Sequence, residues 1–240
     1  MKTNATLVSA QRDRVGRDTG RQRLKKLTTS WLNSTLTMVL VGVFSVAAVA
    51  QTPPGPDGWE RLFNGKDLTG WDIWGTEKWS VDDGTILGES GPDEDDGFLM
   101  TKKTYKDFHA FLRFKCETNT NSGFFYHTTI PEDISKITFI QVEIDNGPGN
   151  HTAALHGNGR SWIVWPAQEK EFYLRSFDWN ELLVKVEGKR TRTYLNGIEM
   201  VDFTYPKPHV TEGVLALQIH PGGGSRVRFK DIWVRDLGGK

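Results

Sequence analysis

Short runs of alternating apolar and polar residues, separated by turn signals, fill the chain after residue 57, and no long helical period interrupts them. In "HAFLRFKCE", Leu112 and Phe114 share one face of an extended strand, because successive side chains of a strand point to opposite sides. Asp83-Gly84 and Asn196-Gly197 each separate two such runs, and both pairs favour tight hairpins because these residues tolerate positive φ. Many short strands at this spacing predict an all-β fold, an antiparallel sandwich or barrel.

The first 50 residues have the composition of an export signal. A basic segment precedes the uncharged stretch "WLNSTLTMVLVGVFSVAAVA", which ends in the small-x-small pattern cut by signal peptidase. We predict a signal peptide over 1–50, cleavage near Ala50, and a periplasmic or secreted mature protein without a stable membrane span. An uncleaved anchor is the alternative, since residues 31–50 reach the roughly 20 residues that span a bilayer. Residues 51–57 form a Pro- and Gly-rich linker and residues 58–240 one domain.

The part of the chain after the predicted leader is mildly acidic. Residues 51–240 contain 22 Lys or Arg and 28 Asp or Glu, a net charge of −6. Nucleic-acid binding needs a basic surface, so we expect no nucleic-acid partner. Cys116 is the only cysteine, which excludes an intrachain disulfide and any CxxC metal or redox motif.

One predicted strand, "FIQVEIDNG" at residues 139–147, carries acidic and amide side chains on a single face. Gln141, Glu143 and Asp145 share that face, and the intervening apolar residues should face the core. A mid-strand glutamate between valine and isoleucine favours a functional role. Asp145 precedes Asn-Gly-Pro and is equally consistent with turn formation.

Other segments add compatible groups, and together they suit a carbohydrate site if the strands are neighbours. The catalytic candidates are Glu143, His127 and His220. The substrate-binding candidates are Gln141, Asp145, Gln218, His156, Trp162 and Trp165. His151 lies in a loop and is expected to be only solvated. A bound divalent metal stays open, although Asp, Glu and His show no diagnostic ligand spacing.

Ordinary two-carboxylate glycoside hydrolysis is disfavoured by the residues that follow Glu143. Laminarinase-type endoglucanases place their acids on one strand as E-x-D-x-x-E, whereas this chain reads "EIDNGP" over 143–148. Pro148 therefore stands in place of the acid/base partner, which retaining hydrolysis needs about 5 to 5.5 Å from the nucleophile.

Several segments together resemble the 3-keto-disaccharide hydrolase domain family. From about Gly58 to Leu237 they are "GWERLFNGKDLTGW", "NSGFFYH", "QVEIDN", "TAALHG", "DWNELLVKVEG", "YLNG", "LALQIH" and "VRFKDIWVRDL". The resemblance implies an antiparallel jelly-roll β-sandwich of the concanavalin A-like lectin/glucanase type. The chain departs from the family where E-V-Q commonly precedes an apolar residue and D-N, because Gln141 and Glu143 are exchanged here. The resemblance thus implies the location of the site without assigning its catalytic residue.

The resemblance also implies an activity, the cleavage of glycosides that have been oxidised to a ketone at C3. That ketone acidifies the C2 proton, so one base can remove it, the C1 oxygen can leave by elimination, and water can add back. A sugar 3-oxidoreductase would then act upstream. Two other functions stay open on the same fold: a non-catalytic carbohydrate-binding module and a cell-surface adhesion domain.

Overall fold

The computed structural model describes residues 57–93, 95–147, 149–157, 161–207 and 210–238. The predicted signal peptide over 1–50 lies outside the described residues, as does all of the predicted linker except Asp57. No helix within the described ranges combines the length and the hydropathy that crossing a membrane requires.

Fifteen strands and two short 3-10 helices make up the regular structure of these ranges. The strands are β1 (Glu60–Arg61), β2 (Trp71–Trp74), β3 (Lys78–Asp82), β4 (Thr85–Glu89), β5 (Gly97–Tyr105), β6 (Phe108–Cys116), β7 (Asn121–Thr129), β8 (Thr138–Asp145), β9 (Leu155–Gly157), β10 (Ser161–Val164), β11 (Asn180–Glu187), β12 (Arg190–Leu195), β13 (Ile198–Thr204), β14 (Gly213–Ile219) and β15 (Arg226–Asp236). The 3-10 helices are η1 (Ile134–Lys136), before β8, and η2 (Gln168–Tyr173), before β11.

The strands form two antiparallel sheets that pack face to face. The eight-stranded sheet has the order β13-β12-β11-β6-β15-β4-β3, with β1 paired to β15, and the seven-stranded sheet has the order β10-β9-β8-β7-β14-β5-β2. Leu112 and Phe114 from the first sheet and Val142 and Leu217 from the second are buried in one apolar cluster between them. The structure confirms the predicted all-β sandwich.

Two of the turns were predictable from their dipeptides. Asp83 and Gly84 join β3 to β4 with φ values of 48° and 67°, and Asn196 and Gly197 join β12 to β13 with φ values of 50° and 85°. Positive φ at both central residues is the requirement of a type I′ hairpin, which asparagine, aspartate and glycine meet at the lowest cost.

The core determines which side chains of the seven-stranded sheet face outward. Ile140, Val142 and Ile144 pack between the sheets and are 2%, 0% and 0% exposed. The alternating residues Gln141 and Glu143 therefore lie on the outer face of β8. A second, smaller apolar cluster also lies on this outer face and consists of Phe98, Phe125, Phe139 and Ala216.

Candidate functional site

Cross-strand pairing aligns polar residues from neighbouring strands on the outer face of the seven-stranded sheet. Gly123 of β7 lies opposite Glu143 of β8 on one side and opposite Gln218 of β14 on the other. In the adjacent row, Gln141 of β8 lies opposite His156 of β9. The structure thus places Gln141, Glu143, Gln218 and His156 on one face, as the strand alternation predicts.

The side chain of Glu143 is buried on this face and held by two amides. Asn121 Nδ2 donates a hydrogen bond to Oε1 at 3.0 Å, and Gln141 Nε2 donates one to Oε2 at 3.0 Å. Burial raises the pKa of Glu143 to about 8, and the negative charge of Asp145 contributes to the increase, while the hydrogen bond from Asn121 acts in the opposite direction. A carboxyl group with such a pKa can exchange a proton near neutral pH, which makes it a candidate acid or base.

Asp145 both forms a turn and influences Glu143. Its Oδ1 accepts hydrogen bonds from Gly147 N at 2.9 Å and from Asn150 Nδ2 at 2.7 Å. These bonds form a turn, which was one of the two roles that the sequence allowed for Asp145. Its Oδ2 accepts a hydrogen bond from Asn121 Nδ2 at 3.2 Å. A single amide therefore contacts both carboxyl groups and holds their charges close together.

Gly123 makes room for the contact between Gln141 and Glu143. A Cβ atom at position 123 would lie 2.8 Å from Gln141 Nε2 and 2.8 Å from Phe125 Cε2. Contacts that short would force the neighbouring side chains to move. The absence of a side chain at Gly123 allows the Gln141 amide to lie across the sheet surface and reach Glu143.

A cavity of about 360 Å³ opens beside the polar row. Its volume is within the range of small-molecule sites. The lining residues are Asp96, Phe125, Ile137, Phe139, Gln141, His156, Gln218, His220 and Pro221. Glu143 is not among them, but its Oε2 accepts a hydrogen bond from the lining residue Gln141. This cavity and the Glu143 carboxyl group that is hydrogen-bonded to Gln141 together form the cleft.

Two larger cavities lie away from the polar row. One, of about 480 Å³, lies around Asp107 and Glu187, and the other, of about 520 Å³, lies around Thr104 and Glu212. Neither brings a buried carboxyl group of raised pKa together with amides and imidazoles. Chemistry rather than size therefore selects the cleft as the candidate site.

Gln218 presents a buried acceptor at the cleft. Its Nε2 donates a hydrogen bond to Asp96 Oδ1 at 2.8 Å. Its Oε1 is buried and has no hydrogen-bond partner among the described atoms. A buried acceptor in this state is costly unless a ligand or water donates to it, so Oε1 is suited to a sugar hydroxyl.

The rim of the cleft carries imidazoles and exposed indoles. His220 lines the cavity and is itself exposed. His156 stacks on Phe139 with ring centroids 6.2 Å apart and meets Trp162 edge-on at 5.2 Å. Trp162 and Trp165 are 40% and 54% exposed. Both indoles can therefore receive the apolar face of a sugar ring.

His127 does not lie in the cleft, and the expected alternation fails at this residue. The pairing of β7 shifts between Tyr126 and Thr129, and His127 has a φ of 50°. The imidazole is consequently buried at the end of β7, where its Nε2 lies 2.6 Å from the carbonyl oxygen of Lys106 and its ring packs against Phe108. The structure favours a packing role for His127.

We expect His127→Ala to lower stability by about 1 to 3 kcal/mol without lowering kcat, because it opens a cavity and leaves the Lys106 carbonyl without its partner. Urea unfolding and the turnover of the folded variant would measure the two effects separately. A folded His127→Ala variant with a hundredfold lower kcat would return this residue to the catalytic candidates.

Residues outside the predicted set also lie at the site. Asn121 precedes Gly123 by two positions in β7, so strand alternation could have predicted that both residues face the site. His151 was expected to be only solvated, and that expectation is wrong, because its Nδ1 lies 2.7 Å from Glu171 Oε1. Glu171 belongs to η2, 20 residues further along the chain, and no local pattern marks the pair.

The described residues contain no group of three or more His, Cys, Asp or Glu side chains placed to hold a metal ion. The structure therefore assigns no ligand set to the divalent metal that the sequence left open.

Solved structures with the same architecture support the assignment of the fold. A Parabacteroides distasonis protein provisionally designated a glycosyl hydrolase superimposes with a TM-score of 0.58 at 22% identity, covering 75% of this chain and 94% of that one. The carbohydrate-binding module CBM66 from Bacillus subtilis superimposes with a TM-score of 0.52 at 15% identity, covering 70% of this chain and 96% of the module. At these identities the likeness shows the β-sandwich fold alone.

Sequence comparison identifies the family. A curated relative, the 3-keto-disaccharide hydrolase of Bacteroides thetaiotaomicron, is 33% identical over 85 residues, which are 32% of this chain and 29% of the relative. The aligned part thus spans less than a third of that protein. Residues 58–235, which include all but the last residue of the sandwich strands, match the 3-keto-alpha-glucoside-1,2-lyase-like domain. The chain therefore belongs to this family of carbohydrate-active, 3-keto-disaccharide hydrolase-like domains.

Proposed function

We propose that the protein cleaves 3-keto-glycosides by removing the C2 proton, eliminating the C1 substituent and adding water. The observation that carries this proposal is Glu143, a buried carboxyl group with a pKa of about 8 that is hydrogen-bonded to Gln141, a lining residue of the sugar-sized cavity. The descriptions of the family and the curated relative support this chemistry. A 1,2-lyase eliminates across C1 and C2, and the same reaction amounts to hydrolysis once water has added.

In this mechanism Glu143 is the base. A C3 ketone makes the C2 proton acidic, and a carboxylate of raised pKa is a stronger base towards it than an ordinary carboxylate. The substrate has to displace the Gln141 amide from Oε2, because that amide donates a hydrogen bond to this oxygen. The imidazoles of His156 and His220 stabilise the enolate oxygen, because both line the cavity and can donate hydrogen bonds to developing negative charge.

Substrate binding in this proposal uses the remaining polar and aromatic groups of the cleft. Gln218 Oε1 accepts a hydrogen bond from a sugar hydroxyl, which provides the donor that this buried atom lacks among the described residues. Phe125 and Phe139 form the apolar floor. Trp162 and Trp165 receive the leaving part of the glycoside at the rim.

We also propose that the protein is exported. Cleavage near Ala50 would release a periplasmic or secreted protein. The substrate carries a C3 ketone that ordinary glycosides lack, so a sugar 3-oxidoreductase has to act before this enzyme.

The reaction predicts a specific isotope result. In heavy water the 3-keto sugar released from a 3-keto-disaccharide should carry deuterium at C2, because the intermediate has lost that proton, and the unoxidised disaccharide should be inert. Mass spectrometry and proton NMR of the product would measure both. Hydrolysis of the unoxidised disaccharide without deuterium at C2 would show conventional glycosidase chemistry instead.

A carbohydrate-binding module is the second candidate, and the exposure of Trp162 and Trp165 favours it. Aromatic platforms of this kind are sufficient for sugar binding without catalysis. Calorimetric titration that detects binding of either sugar form, with no turnover of the oxidised form, would establish this function.

A further inference from the structure

The imidazole of His151 is oriented by a buried carboxylate. Its Nδ1 lies 2.7 Å from Glu171 Oε1. Glu171 is 6% exposed, and its Oε2 is buried without a hydrogen-bond partner among the described atoms. Among the described atoms, the Glu171 carboxylate thus has one hydrogen-bond partner, which is His151. A carboxylate on Nδ1 sets the tautomer and orientation of an imidazole and leaves Nε2 as the nitrogen available for proton transfer.

The loop that contains His151 is hydrogen-bonded to the strand that contains Glu143. Ala153 N donates a hydrogen bond to the backbone oxygen of Glu143 at 2.8 Å, and Glu143 N donates one to the backbone oxygen of Ala154 at 3.0 Å. Thr152 Oγ1 donates a hydrogen bond to the backbone oxygen of Asp145 at 2.8 Å. The position of His151 is therefore coupled to the position of the proposed base.

Aromatic contacts place the imidazole of His151 at the rim of the cleft. It stacks on Trp165 at 5.3 Å with an interplanar angle of 16°, and it meets Trp162 edge-on at 5.3 Å. Trp162 in turn contacts His156, which lines the cavity. A glycoside whose oxidised ring occupies the cavity and whose leaving group rests on the indoles would have its glycosidic oxygen between the cavity and the indoles that His151 contacts.

The backbone of His151 is also unusual. Its φ of 63° lies in the left-handed region, which residues other than glycine rarely adopt. Ala154 N donates a hydrogen bond to the backbone oxygen of His151 at 2.8 Å and stabilises this conformation. Such conformations cost free energy and concentrate at functional sites, where the surrounding structure maintains them.

We propose that His151 is the acid that protonates the leaving oxygen, with Glu171 as its positioning residue; this inference rests on the proposed function. Glu143 takes the C2 proton, and the electron pair passes through the enolate to form the C1–C2 double bond. The C1–O bond breaks as His151 gives its proton to the departing oxygen. His151 then takes a proton from water as the water oxygen bonds to C1, and Glu143 returns a proton to C2. One water molecule is consumed and both residues regain their starting states.

The test compares leaving groups that need protonation to different extents. The substrates are the 3-keto-glucosides of methanol and of p-nitrophenol, and the variants are His151→Gln and Glu171→Gln. His109→Gln is the control, because the Nε2 of His109 also lies 2.7 Å from a glutamate oxygen, that of Glu187 on the eight-stranded sheet. The measurements are kcat/KM and the exchange of the C2 proton into unreacted substrate in heavy water.

For His151→Gln we expect kcat/KM for the methyl glycoside to fall about 10² to 10⁴, the range for loss of a positioned acid, and that for the p-nitrophenyl glycoside to fall less than about tenfold. C2 exchange should persist, because the base is intact. Glu171→Gln should show the same dependence on the leaving group with smaller losses, which an effect on folding alone would not produce. His109→Gln should match the wild type.

Equal losses for the two glycosides, or no loss, would overturn the role of His151 while leaving the proposed reaction intact. A wild-type protein that cleaves neither 3-keto-glycoside would overturn the reaction itself, and this role with it. Circular dichroism and thermal unfolding would identify a misfolded His151→Gln variant, and in that case the leaving-group dependence of Glu171→Gln decides the question alone.

Discussion

Glu143→Gln is expected to lower kcat for a 3-keto-disaccharide by about 10² to 10⁴, the usual cost of losing a positioned proton-transfer group. The amide has nearly the same shape as the carboxyl group and cannot accept the C2 proton. The measurement is single-turnover cleavage together with C2 exchange in heavy water, and both rates should fall together because both require the same proton abstraction. Exchange at the wild-type rate in this variant would show that another residue is the base.

The Glu143→Gln substitution should not unfold the protein. The new amide needs an acceptor, and a half-turn of the Gln141 amide can supply one while Asn121 Nδ2 keeps its contacts with position 143 and Asp145. Ionisation of Glu143 opposes folding, because its folded-state pKa of about 8 is above the ordinary 4.5. The protonated Glu143 carboxyl group therefore stabilises the folded state. This stabilisation is complete below pH 4.5 and is lost as the pH rises through about 8. Above that pH, we therefore expect the Tm of Glu143→Gln to be higher than that of the wild type.

A distant carboxylate provides the control for Glu143→Gln. Glu187 lies on the eight-stranded sheet, where it contacts His109 and Arg192. Glu187→Gln makes the same chemical change away from the cleft and should retain wild-type kcat. A similar loss in both variants would mean that the effect of Glu143→Gln arises from charge or stability rather than from proton transfer.

The strand faces were predictable because the sandwich buries one side of each sheet. Wherever pairing is regular, a period of two separates the core residues from the outward-facing ones, as Val142 and Glu143 show. The hairpin at Asn196-Gly197 followed from local chemistry alone. Such features depend on neighbours in sequence, so a single chain contains the information needed to predict them.

The features that the sequence did not predict depend on contacts between distant segments. The shift in β7 pairing at His127 is visible only once β8 and β14 are aligned beside it. The contact between His151 and Glu171 joins a loop to a 3-10 helix, and neither segment has a period from which the pair could be read. The raised pKa of Glu143 likewise depends on burial by surrounding segments rather than on its neighbours in sequence.

The activity of the wild-type protein is expected to rise steeply with pH. Glu143 must be ionised to act as the base, and a group with a pKa of about 8 is mostly protonated at neutral pH. For the p-nitrophenyl 3-keto-glucoside, whose leaving oxygen needs little protonation, we therefore expect kcat/KM to increase about tenfold per pH unit between pH 5 and 7 and to level off above about 8. Initial rates in a series of buffers of constant ionic strength would measure this limb of the profile.

Asp145→Asn tests the origin of that limb. The charge of Asp145 contributes to the raised pKa of Glu143, so its removal should move the limb to lower pH, whereas the larger contribution from burial remains. Asparagine keeps a carbonyl oxygen that can accept the hydrogen bonds from Gly147 N and Asn150 Nδ2, so the turn should persist. A wild-type limb centred near 6.5, the ordinary pKa of histidine, and unmoved by Asp145→Asn would instead assign proton abstraction to an imidazole of the cleft.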